Sequence, residues 1–520
     1  MRVLQRTLNQ KQTQEQSLPN GWTTASLREL SVINPRFGKD ELPEDLEVTF
    51  LPMRCVEELS GKIDASNVKH VSEVRKGYTP FQEEDVIFAK ITPCMENGKI
   101  AVARDLRNRV GFGSSEFHVI RPHASVSRGF LFYFLVRSNF RKEAERNMTG
   151  SAGQRRVPTS YIKEATMPLP PVHEQRRIVQ KIEELFTKLD AGVRSLKQTQ
   201  ALLKSYRRSV LKAAVEGELS REWREAHEGE IEPAQMLLKQ ILGARQKQWR
   251  GKWKEPKPPK SVELPGLPET WAWASLEQVT SLVTKGSSPN WQGFDYVGDG
   301  VAFVRSQNVG WGRIDLTNVV YLPVEFNQKQ SKSILQPGDL LLNIVGASIG
   351  RAAIAPPELK EANTNQAVAV VRLVEGGLYA KFLLYYLISP AGQARIHKEK
   401  VEVARANISL TEVAKLAVPL PSRIEQRGII REVERRLSIV DNLEATVDAN
   451  LRQADSLRQS ILERAFSGKL VPQDPNDEPA SVLLERIREE SQFTKQKSGE
   501  RRQDKTGTNK SAHAEQRGLF

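Results

Sequence analysis

Two stretches of the chain place apolar residues seven positions apart, which is the repeat of a coiled-coil seam. The first series is Ile182, Leu189, Leu196, Leu203 and Val210, and the second is Val433, Val440, Val447, Ala454 and Ile461. Each stretch follows a proline-rich stop and ends near a glycine, Gly217 or Gly468, as helices commonly do. The pattern predicts two long helices of about 42 residues, each spanning roughly 63 Å.

The other seam positions of these predicted helices are mixed. Ile178, Leu185 and Tyr206 fit a seam, whereas Gly192 and Thr199 do not. Because the helices share length and phase, the simplest arrangement is an antiparallel pair within one chain, with the globular parts at opposite ends and an approximate two-fold axis between them. The alternative is that each helix pairs with another subunit.

The stretches that precede the helices mix strand-like and helix-like patterns. Residues 18–167 and 267–418 contain apolar runs such as "EDVIFAKI" and "GDLLLNIV" between Gly, Pro and Asn turns. Each then carries an aromatic helical run, "FLFYFLVRS" or "FLLYYLISP". We expect two domains of one fold, whose different polar loops serve related binding tasks on different targets.

The chain repeats itself. "PLPPVHEQRRIVQKIEELFTKLD" begins at Pro168, and "PLPSRIEQRGIIREVERRLSIVD" begins at Pro419, 251 residues later. Such a repeat indicates one structural unit used twice. The predicted fold class is α+β, with two similar domains separated by a pair of long antiparallel coiled-coil helices in an internal pseudo-two-fold repeat.

The repeat and the local composition divide the chain into seven segments. The predicted boundaries are 1–17 for a flexible arm, 18–167 for the first block, 168–219 for the first helix, 220–266 for a helical extension and basic linker, 267–418 for the second block, 419–470 for the second helix, and 471–520 for a C-terminal helix and a disordered basic tail.

The charge of the chain favours a polyanionic partner. There are 77 Lys and Arg against 63 Asp and Glu, which gives a net charge of +14 and a pI near 9.6. Nucleic acid is the default partner for so basic a protein, and an anionic membrane surface is the second. Two cysteines, Cys55 and Cys94, make no disulfide framework, which fits a reducing, cytoplasmic environment. No apolar window approaches the roughly 18 residues of a membrane span.

Motifs for catalysis are missing from the sequence. "NPRF" at Asn34 lacks the second proline of an amino-methyltransferase loop, and "VGASIGRA" at Val345 lacks the ending of a phosphate loop. The seven histidines are scattered without metal-ligand spacing. We therefore expect a binding protein with no catalytic residue and no metal site.

Polar loops in both blocks supply side chains that suit DNA. Arg, Lys, Asn and Gln read base edges, and Lys and Arg also bind phosphate. At the 251-residue offset Gln154 corresponds to Arg405 and Arg156 to Asn407, so matching loops carry different side chains. The first-block candidates are Lys76, Tyr78, Lys90, Thr92, Asn97, Lys99, Gln154, Arg155 and Arg156, and the second-block candidates are Lys285, Ser287, Arg305, Gln307, Asn308, Asn363, Asn365, Gln366, Arg405 and Asn407.

The opening "PLPPVHEQRRIV", the long helix, the closing "VEGELSREWR" and their second occurrence resemble the specificity subunit of a type I restriction-modification system, from residue 18 to about 490. The resemblance implies that the blocks are target recognition domains for double-stranded DNA with a split site. It also implies that the helices are spacers that dock two methyltransferase subunits. The candidates for docking are Glu174, Gln175, Arg176, Glu425, Gln426 and Arg427.

The same resemblance implies where the chemistry of the complex resides. The methyltransferase subunits would use S-adenosylmethionine to methylate adenine N6, flipping the base out of the duplex. Motor-nuclease restriction subunits would use ATP and Mg²⁺ to cleave unmodified DNA. This chain would bind none of these cofactors and would act as a non-catalytic recognition subunit in host defence.

Other functions remain open on the residues alone. A stand-alone DNA-binding regulator with two domains would need no methyltransferase, so a tightly bound one would rule it out. An enzyme with an unrecognised motif would cut or methylate DNA by itself. A coiled-coil scaffold would bind only protein.

Overall fold

The structure is a computed structural model that describes residues 18–38, 41–249, 251–260, 264–402 and 407–493. The chain forms two compact units. The first unit comprises Met1–Ser195 with Asn450–Phe520, and the second comprises Leu196–Ala449. The division falls inside both long helices, whereas the sequence predicts each helix as one segment. The predicted arm 1–17 and the tail after residue 493 lie outside the described residues.

The first block has two four-stranded sheets and a two-stranded ribbon. Its strands are β1 (Thr23–Ser26), β2 (Ser31–Ile33), β3 (Glu47–Leu51), β4 (Val68–His70), β5 (Thr79–Gln82), β6 (Val86–Ala89), β7 (Ile100–Val102), β8 (Val110–Gly113), β9 (Phe117–Pro122) and β10 (Thr166–Leu169). Its helices are α1 (Leu27–Leu30), α2 (Val71–Val74), α3 (Arg128–Val136), α4 (Ser138–Arg146) and α5 (Thr159–Glu164).

The sheets of the first block differ in direction. One has the antiparallel order β2-β9-β6-β7, and the other has the order β4-β3-β8-β5 with β3 and β8 parallel. The ribbon pairs β1 with β10 from Thr23 opposite Leu169 to Ser26 opposite Thr166. Since β1 opens the block and β10 closes it, the ribbon holds both ends of the block next to the helix that follows.

That helix, α6 (Val172–Val215), leads into α7 (Arg221–Ala226) and α8 (Ala234–Gln248). The helix ends before Gly217, whose φ of 82° is the left-handed conformation that glycine adopts readily after a helix. The predicted stop near Gly217 is therefore confirmed.

The second block repeats the plan of the first. Its strands are β11 (Ala272–Ser275), β12 (Thr280–Lys285), β13 (Val301–Val304), β14 (Val320–Leu322), β15 (Leu340–Asn343), β16 (Ala352–Ile354), β17 (Asn363–Thr364), β18 (Val368–Leu373) and β19 (Ala417–Leu420). Its helices are α9 (Leu276–Val279), α10 (Pro289–Gln292), α11 (Glu325–Lys329), α12 (Ala380–Ile388), α13 (Pro390–Glu402) and α14 (Leu410–Lys415).

The sheet orders of the second block match those of the first. They are β12-β18-β15-β16, β14-β13-β17 and the ribbon β11-β19. The parallel pair is again present, between β13 and β17. Among the described residues the second block lacks a counterpart of β5 in its smaller sheet. The prediction of two α+β domains with one fold is confirmed.

The second long helix, α15 (Arg423–Phe466), precedes a final helix, α16 (residues 480–493). In the first unit the end of α15 lies against the start of α6, because Arg458 pairs with Asp190 and stacks over Phe186 at 4.4 Å from the ring centroid. In the second unit the end of α6 lies against the start of α15, because Arg207 pairs with Asp441. Each unit therefore contains antiparallel packing of the two helices.

The positions seven apart are buried or half-buried, as predicted, but the other half of the seam is different. The seam uses residues four positions after each member of the series, namely Phe186, Val193, Gln200, Arg207 and Ala214 in α6. Tyr206 is 46% exposed, so its predicted seam position is wrong. A series spaced by seven fits either heptad phase, and the polar residues Gln200 and Arg207 concealed the true one.

Candidate nucleic-acid and partner interfaces

Two loops of the first block lie side by side. Ile91, in the loop between β6 and β7, forms an antiparallel bridge with Arg156, and Thr92 N–H donates to Arg155 O at 3.0 Å. Arg156 also bridges to Thr149, so residues 149–156 form a hairpin. We call residues 90–99 together with 149–156 the first loop pair. Candidates from two distant parts of the sequence therefore lie together.

The second block has the equivalent arrangement. Val345, in the loop between β15 and β16, bridges to Asn407, and Ile408 N–H donates to Ile344 O at 2.9 Å. We call residues 344–351 together with 407–408 the second loop pair. Arg405 lies outside the described residues.

The first-block candidates differ in how freely they face solvent. Lys76, Tyr78, Asn97 and Gln154 are exposed, and Asn97 also donates to Glu58 Oε1 at 2.9 Å. Lys76 and Tyr78 lie outside the first loop pair, in the turn before β5. The exposed amides of Asn97 and Gln154 are thus the members of this pair best placed to meet a large ligand.

Three other first-block candidates already have internal partners. Lys90 Nζ donates to Ser115 O at 2.8 Å, and Lys99 Nζ donates to Val56 O at 3.0 Å. Thr92 Oγ1 donates to Glu96 Oε1 at 2.8 Å. These bonds stabilise the loops. To bind DNA, each of these three groups would have to give up its acceptor in the protein for an acceptor on the DNA.

Arg155 and Arg156 are held in fixed positions. Arg156 donates two hydrogen bonds to Glu116, at 2.9 and 2.8 Å, which raises the pKa of the guanidinium and lowers that of the carboxyl. Arg155 Nη2 donates to Glu145 O at 3.0 Å. Arg155 also borders a surface hollow with Lys142, Arg146 and Glu145, so three positive charges and one carboxylate line it.

The second-block candidates form a second cluster near the end of β12. Gly286 packs so closely on Thr364 that a Cβ would overlap its carbonyl oxygen, which brings Lys285 and Ser287 beside Asn365. Lys285 is exposed, and Ser287 accepts from Gln292 Nε2 at 2.9 Å. Gln366, next in the chain, is half-buried, and its Oε1 has no hydrogen-bond donor among the described residues.

Two second-block candidates are structural. Asn308 is 2% exposed; its Oδ1 accepts from Arg305 N–H at 2.9 Å and its Nδ2 donates to Asp315 O at 3.0 Å. Asn363 is fully buried and donates to Asn327 Oδ1 at 2.7 Å. Buried amides that are saturated within the domain have little left to offer a base edge. Gln307 and Asn407, by contrast, are exposed.

The docking candidates separate into buried and exposed members. Glu174, Gln175, Glu425 and Gln426 are at most 1% exposed, so they are not available to a partner. Arg176 and Arg427, at matching places in the first turns of α6 and α15, are exposed. The repeated Glu-Gln pair is therefore a folding element, and only the arginines remain as docking candidates.

The buried pair anchors each block on its long helix. Trp22 Nε1 donates to Glu174 Oε2 at 3.0 Å, and Trp271 Nε1 donates to Glu425 Oε2 at 2.8 Å. Gln175 Oε1 accepts from Ser127 N–H at 2.9 Å. Burying a carboxylate is costly unless it is well bonded, so these bonds fix the angle between block and helix.

The two glutamates have different surroundings. Glu425 Oε1 accepts from Ser220 Oγ and from Arg224 Nη1, both at 2.7 Å. Glu174 Oε1 is buried and has no donor among the described residues. Burial consequently raises the pKa of the Glu174 carboxyl above its ordinary value.

The two most exposed tryptophans of the described residues are not among the candidates predicted from the sequence. Trp291 of α10 is 76% exposed, and Trp311, between β13 and β14, is 54% exposed. Glycines flank Trp311 in "VGWGR", a pattern that indicates a turn with an aromatic tip.

The described residues contain no cluster of three or more His, Cys, Asp or Glu side chains able to hold a metal ion. In the same part of the chain no helix is both long and apolar enough to span a membrane.

A family model, type I restriction modification DNA specificity domain, matches residues 19–198 and again 268–452. The chain belongs to this family. Each match covers one block and more than half of the long helix that follows it. The chain is thus a specificity subunit, the non-catalytic component that directs methylation and restriction at recognition sites.

Curated relatives cover most of this specificity subunit. The EcoAI specificity subunit of Escherichia coli is 27% identical over 507 residues, covering 86% of this chain and 83% of the relative. The EcoKI specificity subunit of Escherichia coli strain K12 is 24% identical, covering 91% of this chain and 96% of the relative.

Solved structures share the fold. An HsdS subunit from Thermoanaerobacter tengcongensis has a TM-score of 0.51 at 21% identity, covering 87% of this chain and 98% of its own. A chain from a structural study of complex assembly and conformational transition of the type I R-M system has a TM-score of 0.64 at 20% identity, with 87% and 100% covered.

Proposed function

We propose that this specificity subunit recognises a bipartite site on double-stranded DNA, and that each block reads one half-sequence. The observation that supports the proposal is the pair of equivalent loop arrangements. Ile91 and Arg156 in the first block, and Val345 and Asn407 in the second, occupy the same topological positions but belong to loops with different side chains. One scaffold with two loop surfaces suits two different half-sequences.

The charge of the chain supports a DNA target of this kind. A net charge of +14 favours phosphate contacts, which supply affinity without sequence preference. The exposed amides near the loop pairs, Asn97, Gln154, Gln307 and Asn407, would then supply the sequence-dependent hydrogen bonds.

The proposal includes partners that hold the catalytic groups. Two methyltransferase subunits would dock near the starts of α6 and α15, where Arg176 and Arg427 are exposed at matching positions. Motor-nuclease restriction subunits would complete the complex. S-adenosylmethionine, ATP and Mg²⁺ would be bound by those subunits, while this chain would hold and orient the DNA.

A loop substitution tests the two-reader proposal. In the assembled methyltransferase complex, Arg155→Ala together with Arg156→Ala should weaken binding and methylation at one half-sequence only, because both residues belong to the first block. Binding would be measured at constant salt against duplexes in which each half-sequence is mutated in turn, since lost charge alone weakens all DNA binding.

Arg104→Ala provides a control for the loss of one of the two positive charges. Arg104 is exposed and follows β7, at the opposite end of the strands from the first loop pair. It should leave the preference for both half-sequences unchanged. Equal relaxation at both half-sequences in the double variant would contradict the assignment of one half to each block.

A further inference from the structure

A short hairpin in the second block presents Trp311 on a fixed support. Val309 and Ile314 form an antiparallel bridge, and Gly310 N–H donates to Arg313 O at 2.9 Å. Gly312 has a φ of 77°, the left-handed value that the third position of a tight turn commonly requires. Trp311 therefore occupies the corner of a four-residue turn.

Hydrogen bonds fix this hairpin to the rest of the second block. Gly312 N–H donates to Ala352 O at 2.9 Å, and Asp315 N–H donates to Asn308 O at 2.8 Å. Asn343 Nδ2 donates to Ser306 O at 2.8 Å at the base of the hairpin. An indole on so firmly held a turn loses little further conformational entropy when it meets a ligand.

The hairpin adjoins the residues assigned to DNA recognition. Gln307, which is exposed, lies in the 3-10 turn Ser306–Asn308 directly before it. Ala352, which accepts from the tip, begins β16 immediately after the loop 344–351 of the second loop pair. Arg313, next to the tip, is also exposed and adds a positive charge.

We propose that the hairpin Val309–Ile314 is a DNA wedge: the Trp311 ring stacks into a base step beside the half-sequence read by the second block, and Arg313 binds the neighbouring phosphate. This inference rests on the proposed DNA-reading function. Apolar side chains that enter a base step unstack it and bend the duplex, and an aromatic ring regains part of that cost by stacking on a base.

The corresponding hairpin of the first block is unsuited to this role. It also follows a 3-10 turn, and Val56 bridges to Ile63 as Val309 does to Ile314. Residues 56–63 carry no aromatic side chain, and Glu57 and Glu58 outweigh the one cation, Lys62, so this hairpin has a net negative charge that would repel phosphate. The wedge is accordingly a property of the second block alone, which makes the first hairpin a control within the same chain.

The test uses the assembled methyltransferase complex and a duplex that carries its methylation site. 2-Aminopurine, placed in turn at steps in and beside each half-sequence, becomes brighter where the base is unstacked. Base flipping would itself brighten a probe at the target adenines, so these positions are left as adenine. At the remaining steps the wild type should brighten the probe at one step next to one half-sequence. Trp311→Ala should abolish that signal and weaken binding roughly tenfold, whereas Trp311→Phe should keep part of both.

Glu57→Ala in the first hairpin is the matched control: it should leave the probe signal unchanged and should not weaken binding, because it removes a carboxylate that repels phosphate. The melting temperature of each variant and its association with the methyltransferase are measured in parallel. Unchanged binding and probe signal in Trp311→Ala would overturn the wedge while the DNA-reading function stood. Loss of methyltransferase association instead would assign the hairpin to a protein contact and also overturn it. No DNA binding by the wild-type complex would overturn both proposals.

Discussion

At the scale of single residues, the same buried glutamate serves two blocks in different ways. Glu425 Oε1 accepts from an arginine and a hydroxyl group, whereas among the described residues Glu174 accepts a side-chain hydrogen bond from the indole of Trp22 alone. In both blocks the bond from tryptophan to glutamate joins the residue before the first strand to the long helix. Both copies of the repeat therefore keep the hydrogen bond from tryptophan to glutamate, but only Glu425 has a neighbouring arginine and hydroxyl group among the described residues.

Because Glu174 Oε1 has no hydrogen-bond donor among the described residues, we expect the stability of the chain to depend on pH. Burial raises the pKa of Glu174 in the folded chain, so the folded state holds this proton more tightly than the unfolded state. The resulting stability is fully present below the unfolded pKa and is lost as the pH rises through the folded pKa. Glu174→Gln should therefore leave the free energy of unfolding at pH 8 equal or higher, and should flatten its rise on acidification.

Glu425→Gln is the matched substitution in the other block. It leaves Arg224 without its buried carboxylate partner, and it should lower the free energy of unfolding by roughly 2 kcal/mol. Chemical denaturation of both variants across pH 5–8 compares them. A greater loss in Glu174→Gln than in Glu425→Gln would contradict this account of the two sites.

Residue roles were the part of the site that the sequence predicted least well. Repetition of "EQR" marks Glu174 and Gln175 as important, but it does not separate folding from docking. Polar loops likewise include amides that bond within the domain, as Asn308 and Asn363 do. Exposure depends on the tertiary fold. Residue type alone therefore does not show that Trp311 is exposed or that Asn308 and Asn363 are buried.

At the scale of elements, the seam of the long helices contains charge. Arg207 pairs with Asp441 in the second unit, and Arg458 pairs with Asp190 in the first. Both arginines and both aspartates are 251 residues apart, so one interaction occurs twice. Polar groups at seam positions set the register of coiled coils more than they add stability, and we expect these pairs to align the two helices.

A change of helix length tests whether the helices set the distance between the half-sequences. Deleting one heptad from both α6 and α15 keeps the seam phase, because seven residues fall only about 20° short of two turns. It shortens each helix by about 10 Å. The gap between the half-sequences should change by about three base pairs while the half-sequences stay the same.

Sequencing the sites that the shortened complex methylates measures the gap and the half-sequences directly. A single-helix deletion is the control, because it removes the match between the two helices and should destabilise the chain. Altered half-sequences with an unchanged gap would contradict the role of the helices as a spacer.

Elements were predicted better than residues. Helix ends, strand runs and the repeated order of elements follow from proline, glycine and apolar spacing that both copies share. The heptad phase was wrong because Gln200 and Arg207 occupy seam positions where an apolar residue was expected. Here pairing with Asp448 and Asp441 offsets the cost of placing polar side chains at the seam.

At the level of the whole molecule, each unit has a helix next to the start of its block, but the two helices come from different parts of the chain. Ala234 at the start of α8 donates to Thr270 O at 3.0 Å in the second unit, and Ala480 at the start of α16 donates to Gly21 O at 2.8 Å in the first. The helix that precedes the second block in sequence thus has its equivalent at the far end of the chain. The sequence shows the same equivalence, because the two helices begin with the similar segments "EPAQ" and "EPAS".

In the proposed function, this chain selects a two-part DNA site for methylation by its partners. The most direct measurement is single-molecule methylome sequencing of cells with and without the gene, with the methyltransferase partner present in both. We expect a methylated adenine motif of two short half-sequences with a fixed gap, seen only when the gene is present. An unchanged methylome, with a methyltransferase shown to be active on its own site when joined to another specificity subunit, would contradict it.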